Sequence, residues 1–329
     1  MSTSRGVVFR TPTTFGRAVD LTLAFLSLLT TFSFAVALPL VILPTLLFLT
    51  LAHQSLWAAT VLVLLLSTSF VRPAQWSVVR HLFVWRLWAA WQDFELRVEY
   101  DPESITTSSL VAVVPHGVFP ISLVALSCAP QSTFTPRSFR LRCGIATFLL
   151  RVPVLGAILS CFGAVDASWT SCVRELQQEK TFFFLVPGGI ASIFVEGAAT
   201  REKEVVLLKD RKGYAKLALQ TGSPVHPCYA FGQNPTFSVW PTAGSWAHRM
   251  SKKWRISLML FYGFWGLPVP RRQKLCLVIG APLAVERIAN PSQVDIDSLH
   301  QHFQRAVSEL FERHKSSVEG YEQKKLDFA

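Results

Sequence analysis

The stretch Leu110-Val111-Ala112-Val113-Val114-Pro115-His116-Gly117 decides how this chain is read. A run of apolar, largely β-branched residues that stops at a proline is the pattern of a strand buried on both faces. His116 then falls where the strand ends, beside a glycine that lets another group come close. A neutral imidazole there can take a proton from a hydroxyl near pH 7. The plainer reading is a histidine that closes a strand end by bonding a nearby carbonyl.

Working outward, the same pattern recurs. Strands are predicted at Leu110–Val114, Thr181–Val186, Val225–Phe231 and Leu275–Ile279. Helices are predicted between and after them, at Thr147–Phe162, Trp169–Glu179, Arg211–Thr221 and Ser298–Lys315. Strand and helix in alternation predict a layered α/β domain with a mostly parallel sheet. Gly222 suits the end of the third helix. Asn290-Pro291-Ser292 with Asp295 supplies start signals ahead of the last one, whose Leu299, Phe303, Val307, Leu310 and Phe311 share a face.

The N-terminal third differs. No Asp, Glu, Lys or Arg occurs from Leu21 to Val71. A membrane pass takes about 20 apolar residues, so two passes fit, near Asp20–Leu38 and Leu56–Val71. Pro39 and Pro44 would break or kink the run, and His53-Gln54-Ser55 offers a polar turn. This predicts a helical hairpin, fully spanning or re-entrant, rather than a cleaved signal peptide, whose apolar core is far shorter. Arg5, Arg10 and Arg17 precede it and Arg72, Arg80 and Arg86 follow it, which puts both flanks on the cytosolic side. Trp76, Trp85, Trp88 and Trp91 among these arginines suggest a helix at headgroup level. The expected organisation is a cytosolic segment 1–19, a hairpin 20–71, an interfacial linker helix 72–100 and a membrane-associated domain 101–329.

The net charge is +11 over 329 residues. Nucleic acid is a poor match, because the basic residues are spread out and no recognition motif is present. An anionic membrane surface and a phosphorylated ligand account for the surplus better. The six cysteines have no paired short spacing and read as reduced core residues rather than a zinc site.

Four clusters fall at strand ends or helix starts, where open α/β sheets form their sites. They are Pro115-His116-Gly117; Val186-Pro187-Gly188-Gly189; Lys209-Asp210-Arg211-Lys212-Gly213-Tyr214; and Pro227-Cys228-Tyr229-Ala230-Phe231-Gly232-Gln233-Asn234. A base, exposed glycine amides and a basic helix start suit acyl transfer from a phosphorylated carrier to a lipid hydroxyl.

At these positions the chain resembles the type-2 diacylglycerol acyltransferase family, which includes monoacylglycerol and wax-alcohol acyltransferases. The likeness is carried by Leu208-Lys209-Asp210-Arg211-Lys212-Gly213-Tyr214-Ala215-Lys216-Leu217-Ala218-Leu219, by Tyr229-Ala230-Phe231-Gly232-Gln233-Asn234 and by Asn290-Pro291 through Asp295-Ile296-Asp297. Arg151-Val152-Pro153-Val154-Leu155 and Gly163-Ala164-Val165-Asp166-Ala167-Ser168 also resemble it. The resemblance implies a hairpin protein of the endoplasmic reticulum, with lipid droplets as an alternative location. It implies acyl-CoA as co-substrate, no metal or other cofactor, diacylglycerol or a related lipid alcohol as acceptor, and triacylglycerol as product. Membrane lipids are expected partners, nucleic acid is not, and homo-oligomerisation is left open.

Carried onto this chain, the catalytic set is His116 and Gly117, with Glu196, a helical turn beyond Ser192, as a substitute acid if the glycine loop opens a helix. The acyl-CoA and oxyanion set is Gly188, Gly189, Lys209, Arg211, Lys212 and Gly213. The acceptor pocket is expected from Pro115, Ser192, Phe231, Gln233 and Asn234. Three positions depart from the family's pattern: Val114 replaces the first histidine of His-Pro-His-Gly, Ser192 replaces a glutamate, and Gln233 replaces another. Two rivals follow from the departures. A glycerophospholipid acyltransferase of the His-x4-Asp kind would need Asp where Ile121 stands. A non-catalytic hairpin protein would fit the lost acid groups.

Overall fold

The computed structural model describes residues 7–73, 75, 79, 82–196, 200, 202–240, 245–246, 249–250 and 260–329. Twelve strands are formed among these residues: β1 Val7–Arg10, β2 Glu95–Val98, β3 Ser109–Val114, β4 Arg140–Ile145, β5 Ala164–Asp166, β6 Thr181–Leu185, β7 Lys203–Val206, β8 Val225–Phe231, β9 Ser238–Trp240, β10 Leu260–Tyr262, β11 Cys276–Ile279 and β12 Lys325–Phe328. Eight of them make one sheet in the order β1-β2-β11-β8-β3-β6-β4-β5. The centre, β8-β3-β6-β4-β5, is parallel, as alternation with helices requires. The β8–β11 and β1–β2 pairs are antiparallel, so the sheet is mixed.

Both faces are covered, which is why β3 and β8 are buried at every position. One face packs under the helices Gly213–Thr221 and Gln293–Lys315, with Phe303, Val307, Leu310 and Phe311 fully buried. The last helix starts at Ser292, whose hydroxyl accepts from Asp295 N–H while the Asp295 carboxylate accepts from Ser292 N–H, a complete capping box. It therefore begins one turn earlier than Ser298. The other face packs against the helix Val84–Trp91 and the first part of the N-terminal helix.

The apolar N-terminal region is one continuous helix of 37 residues, Arg17–His53, long and apolar enough to cross a membrane. Pro39 and Pro44 do not end it. Its turns widen to π geometry over Leu38–Ile42 and then resume, which accommodates the missing N–H groups without a break. The expected first pass at Asp20–Leu38 is thus only its first half. Gln54 turns the chain in a left-handed conformation, and Leu56–Ser67 packs back against Leu43–His53.

The first half is not free of the domain. Ala24, Leu28 and Phe32, spaced four apart, are buried against it.

Two further expectations are corrected. The tryptophans expected at headgroup level pack in part on the protein itself. Trp88 and Trp91 are buried, their indole N–H groups donating to Ser27 Oγ and the Pro270 carbonyl, each at 2.9 Å. Trp76 and Arg80 lie outside the described residues. The segment before residue 101 is also more than a linker, since β2 pairs in parallel with β11 inside the main sheet.

Candidate active site

The three central parallel strands end together. Val114 of β3 lies beside Tyr229 of β8, and Ala112 lies beside Leu185 of β6. The loops that follow therefore leave the same edge: His116-Gly117 after β3, Pro187-Gly188-Gly189 after β6, and Gly232-Gln233-Asn234 after β8. The helix Gly213–Thr221 runs antiparallel to the strand it feeds, so its first residues reach the same edge. Two contacts join these clusters in pairs: Gly117 lies against Gln233, and Gly188 against the Leu207 carbonyl ahead of Lys209.

His116 is half-buried, and burial pushes its pKa below the usual histidine value, with the Gly117 carbonyl opposing. Its Nδ1 lies 2.7 Å from that carbonyl. A carbonyl only accepts, so Nδ1 carries the proton and Nε2 is the basic nitrogen of the neutral ring. The plain strand-end reading is thus met by Nδ1, and this bond does not involve Nε2.

Gln233 holds this loop. Its side chain is fully buried. Nε2 donates to the His116 carbonyl at 3.2 Å and to that of Phe119, and Oε1 accepts from Ser122 N–H at 3.1 Å. Gly117, at φ +62°, leaves room for it, since a Cβ there would sit 3.0 Å from Gln233 Cγ. Phe119 packs on Phe32 of the apolar helix, with ring centroids 5.4 Å apart, and on Phe261 at 4.7 Å. The histidine loop thus rests directly on the apolar helix.

Asn234 continues the clamp on the other side. Its Nδ2 donates to Glu204 Oε2 at 2.8 Å, and Lys324 Nζ donates to Glu204 Oε1 at 2.8 Å. Tyr321 hydroxyl accepts from Gly232 N–H at 2.8 Å. Glu204 and Tyr321 are buried, and the neighbouring carboxylate adds to burial in raising the Tyr321 pKa. No motif in the sequence marked Glu204, Tyr321 or Lys324.

The expected acceptor pocket does not form from the residues assigned to it. Phe231 faces the last helix and stacks on Phe311 at 5.5 Å. Gln233 and the Asn234 Nδ2 group are used in the contacts above, and Asn234 Oδ1 is buried with no hydrogen-bond partner among the described residues. Ser192 is buried, its hydroxyl donating to the Gly189 carbonyl at 2.6 Å. Pro115 is buried behind a cis Val114–Pro115 bond. Glu196 ends the helix Ile190–Glu196, and its side chain lies outside the described residues. Val114, in place of a second histidine, is buried in the apolar layer under the last helix.

The glycine loop is tightly built: a Cβ on Gly188 would meet Ser192 Cβ at 2.6 Å and the Leu207 carbonyl at 3.3 Å, which puts the loop against the basic segment. Gly189 N–H is used within the turn, donating to Val186 O at 3.3 Å. In the basic segment, Lys212 is countered by Asp297 at 2.8 Å. Among the described residues Lys209 and Arg211 have no carboxylate partner. His300 Nε2 donates to the Lys209 carbonyl at 3.1 Å and its Nδ1 accepts from Tyr214 hydroxyl at 3.0 Å, fixing the segment to the last helix. Asp297, inside the quoted Asp295-Ile296-Asp297 run, was the one available hint of this link.

A half-buried histidine at the end of a central parallel strand, on a loop that rests on a long apolar helix, defines a membrane-associated α/β protein. The family model for diacylglycerol acyltransferase matches residues 45–329, and the chain belongs to that family. Human diacylglycerol O-acyltransferase 2 is 28% identical over 267 residues, 74% of this chain and 66% of that protein's length. Bovine 2-acylglycerol O-acyltransferase 1 is 28% identical over 74% of this chain and 75% of its own. The bovine diacylglycerol O-acyltransferase 2-like protein 6 is 27% identical over 89% and 92%. The solved 1-acyl-sn-glycerophosphate acyltransferase of Thermotoga maritima is a remote likeness, with 14% identity and a TM-score of 0.42 over 90% of this chain and 98% of that one.

Proposed function

We propose that this protein transfers a fatty acyl chain from acyl-CoA to the free hydroxyl of diacylglycerol, giving triacylglycerol, with His116 as general base. The observation that carries this is the contact between the histidine loop and the apolar helix, Phe119 on Phe32. It lets a lipid alcohol reach the base from the bilayer side without crossing water. Family membership supports acyl transfer, and the relatives named for diacylglycerol support the acceptor.

In the reaction, Nε2 takes the hydroxyl proton as the oxygen attacks the thioester carbonyl. The tetrahedral intermediate collapses by breaking the carbon–sulfur bond, and the CoA thiolate recovers the proton from Nε2–H. Such a base contributes about 10²–10⁴-fold. The thioester is already activated, so no covalent enzyme intermediate is needed. Gly188 N–H is assigned to the developing oxyanion, because Gly189 N–H is bonded within its own turn. Lys209 and Arg211 are assigned to the CoA phosphates.

The similarity to 2-acylglycerol O-acyltransferase 1 favours one alternative acceptor, monoacylglycerol. A spanning or re-entrant hairpin of Arg17–His53 and Leu56–Phe70 with both flanks cytosolic supports a location in the endoplasmic reticulum membrane, with lipid droplets as the alternative. The test is expression in cells lacking neutral-lipid synthesis. The wild-type chain restores triacylglycerol and His116→Ala does not, while full activity of His116→Ala sinks the mechanism. Microsomes with labelled acyl-CoA and a panel of acceptors fix the acceptor, and a wax ester as sole product rules out diacylglycerol. In sealed vesicles, cysteines placed at Thr13 and Gln323 label from the cytosolic side, and protection of either breaks the hairpin.

A further inference from the structure

A second cationic site lies where the apolar helices end. The helix Leu56–Ser67 runs on through a single 3-10 turn, Thr68–Phe70. Beside that turn is an open cavity of about 510 Å³ lined by Ser69, Phe70, Arg72 and Arg151. Two guanidiniums share it, and among the described residues neither has a carboxylate within ion-pair distance. Like charges gathered without a counter-charge attract an anion.

The two arginines are held together by a built connection. Arg72 Nη1 donates to the carbonyls of Ser69 at 2.7 Å and Val71 at 2.9 Å, which fixes the guanidinium at the negative end of the helix. These bonds engage one of its three nitrogens, and the planar fork keeps donors for a ligand. Arg151 ends the helix Thr147–Arg151 and opens the turn Val152-Pro153-Val154.

Val154 has φ +63° and ψ −52°, and Leu155 N–H donates to the Pro153 carbonyl at 2.6 Å. This is a γ-turn of the rare, strained hand, with a β-branched residue at its centre. Such a conformation lasts only where its surroundings impose it. Here Val154 N–H donates to Thr68 Oγ1 at 2.7 Å, tying the turn that carries Arg151 to the turn that precedes Arg72. Gly156 permits the fit, since a Cβ there would lie 1.9 Å from the Leu150 carbonyl.

The surroundings indicate what is bound. Phe70 is 88% exposed, and Val63, Leu64 and Leu66 on the helix before it are exposed as well. An apolar face leading to a pair of guanidiniums and a serine hydroxyl matches an amphiphile with a phosphate head. We propose that this cavity is a phosphate site for an anionic lipid: the phosphate bridges Arg72 and Arg151, and the acyl chains lie along Phe70 and the Leu56–Ser67 helix. Arginine pairs suit phosphate because each can donate two parallel bonds. The same chemistry is present in the phosphates of CoA, and the experiment separates the two sources.

Full-length protein in detergent micelles is titrated with dioctanoyl phosphatidic acid, with dioctanoyl phosphatidylcholine and with CoA, and binding is read by native mass spectrometry and by the shift in thermal unfolding. Wild type is expected to bind the phosphatidic acid at least about tenfold more tightly than Arg72→Gln/Arg151→Gln. The phosphatidylcholine titration should be the same for both proteins. The unliganded unfolding midpoint serves as the folding control, and Arg72→Lys/Arg151→Lys, which keeps the charge, should fall between the two. Thr68→Val leaves both guanidiniums in place and removes the tie, so it should also weaken phosphatidic acid binding. If CoA alone loses affinity in the double variant, the phosphate site stands and its source is the co-substrate. Equal phosphatidic acid and CoA binding by wild type and the Gln double variant overturns the proposal. Because binding is read without turnover, a failed acyltransferase assay would not decide this result.

Discussion

Gln233 Nε2 donates to the main-chain oxygen of His116 at 3.2 Å across 117 positions of sequence. With its further bonds to Phe119 O and Ser122 N–H, one amide fixes three points of the loop that carries the base. Only an amide supplies two donors and an acceptor at once without a charge. Gln233→Ala leaves two carbonyls and an N–H buried without that partner, at about 1–3 kcal/mol each. The loop relaxes, and misplacing a catalytic group by about 1 Å can cost 10²-fold. Turnover should fall about ten- to a hundredfold while the KM for acyl-CoA stays nearly constant. A variant that loses stability but keeps kcat would show that the clamp is structural alone.

The role proposed for His116 has a pH signature. Burial holds the His116 pKa below the usual 6.5. The ring is therefore neutral at pH 7, and the rate should be flat there, falling only as the pH drops below 6.5 and the ring takes a proton. His116→Gln should remove this acid limb along with most of the activity, by about 10²–10⁴-fold. An acid limb that persists in residual His116→Gln activity would assign it to another group.

Much of the fold was readable because it rests on local signals. β3 and β8 are unbroken apolar runs, and Ser292 with Asp295 spells a helix start. The strands that escaped notice lack that signal. β12 is Lys325-Leu326-Asp327-Phe328, β7 is Lys203-Glu204-Val205-Val206, and β4 carries Arg140 and Arg142. Such half-polar strands exist because partners in the sheet stabilise them, which no window of sequence reports. The predicted helix Thr147–Phe162 divides into Thr147–Arg151 and Leu155–Cys161 because Pro153 and the γ-turn at Val154 interrupt it. In the site, the position of His116 at a strand end was legible from the apolar run before it. The partners of Gln233 and Asn234 were not, because each contact is long-range. Phe231 was misassigned because β8 is buried on both faces, so hydrophobicity does not say which face a residue takes.

His226 gives a stability prediction. It is buried, with Nδ1–H donating to the Gly280 carbonyl at 3.0 Å, and burial lowers its pKa to about 4. The unfolded chain binds a proton near pH 6.5, whereas the folded chain does not until about pH 4. Stability should therefore decline as the pH falls from 6.5 to 4, by about 3 kcal/mol in full. Unfolding midpoints measured across this range should show the slope in wild type and a shallower one in His226→Phe. Equal slopes would mean that other groups control the acid response.

The Glu204–Lys324 pair predicts an asymmetry. Glu204 is fully buried, and Lys324 Nζ lies 2.8 Å from its Oε1 and 4.5 Å from the centre of the Tyr321 ring. Lys324→Met leaves a buried carboxylate with the neutral donors Asn234 and Tyr321 and no counter-charge, a loss of about 3–5 kcal/mol. Adding Glu204→Gln removes the stranded charge and keeps an acceptor for Asn234. The double variant should recover most of the loss in thermal unfolding, and simple addition of two losses would contradict the coupling.

The basic segment separates its cations by what already faces them. Lys212 is paired with Asp297 at 2.8 Å, and both side chains are about a third exposed, so solvent screens the pair and it adds little to stability. Its charge is nonetheless compensated, and it adds little attraction for a phosphate. Arg211 has no carboxylate partner among the described residues, and its guanidinium can grip a phosphate with two bonds. Arg211→Gln should raise the KM for acyl-CoA about tenfold or more, with the increase shrinking at high salt as screening weakens the wild-type contact. Lys212→Gln should move KM less than about threefold, and Asp297→Asn, which uncovers Lys212, should lower it. A larger rise in KM for Lys212→Gln than for Arg211→Gln would reverse the assignment and make Lys212 the phosphate contact.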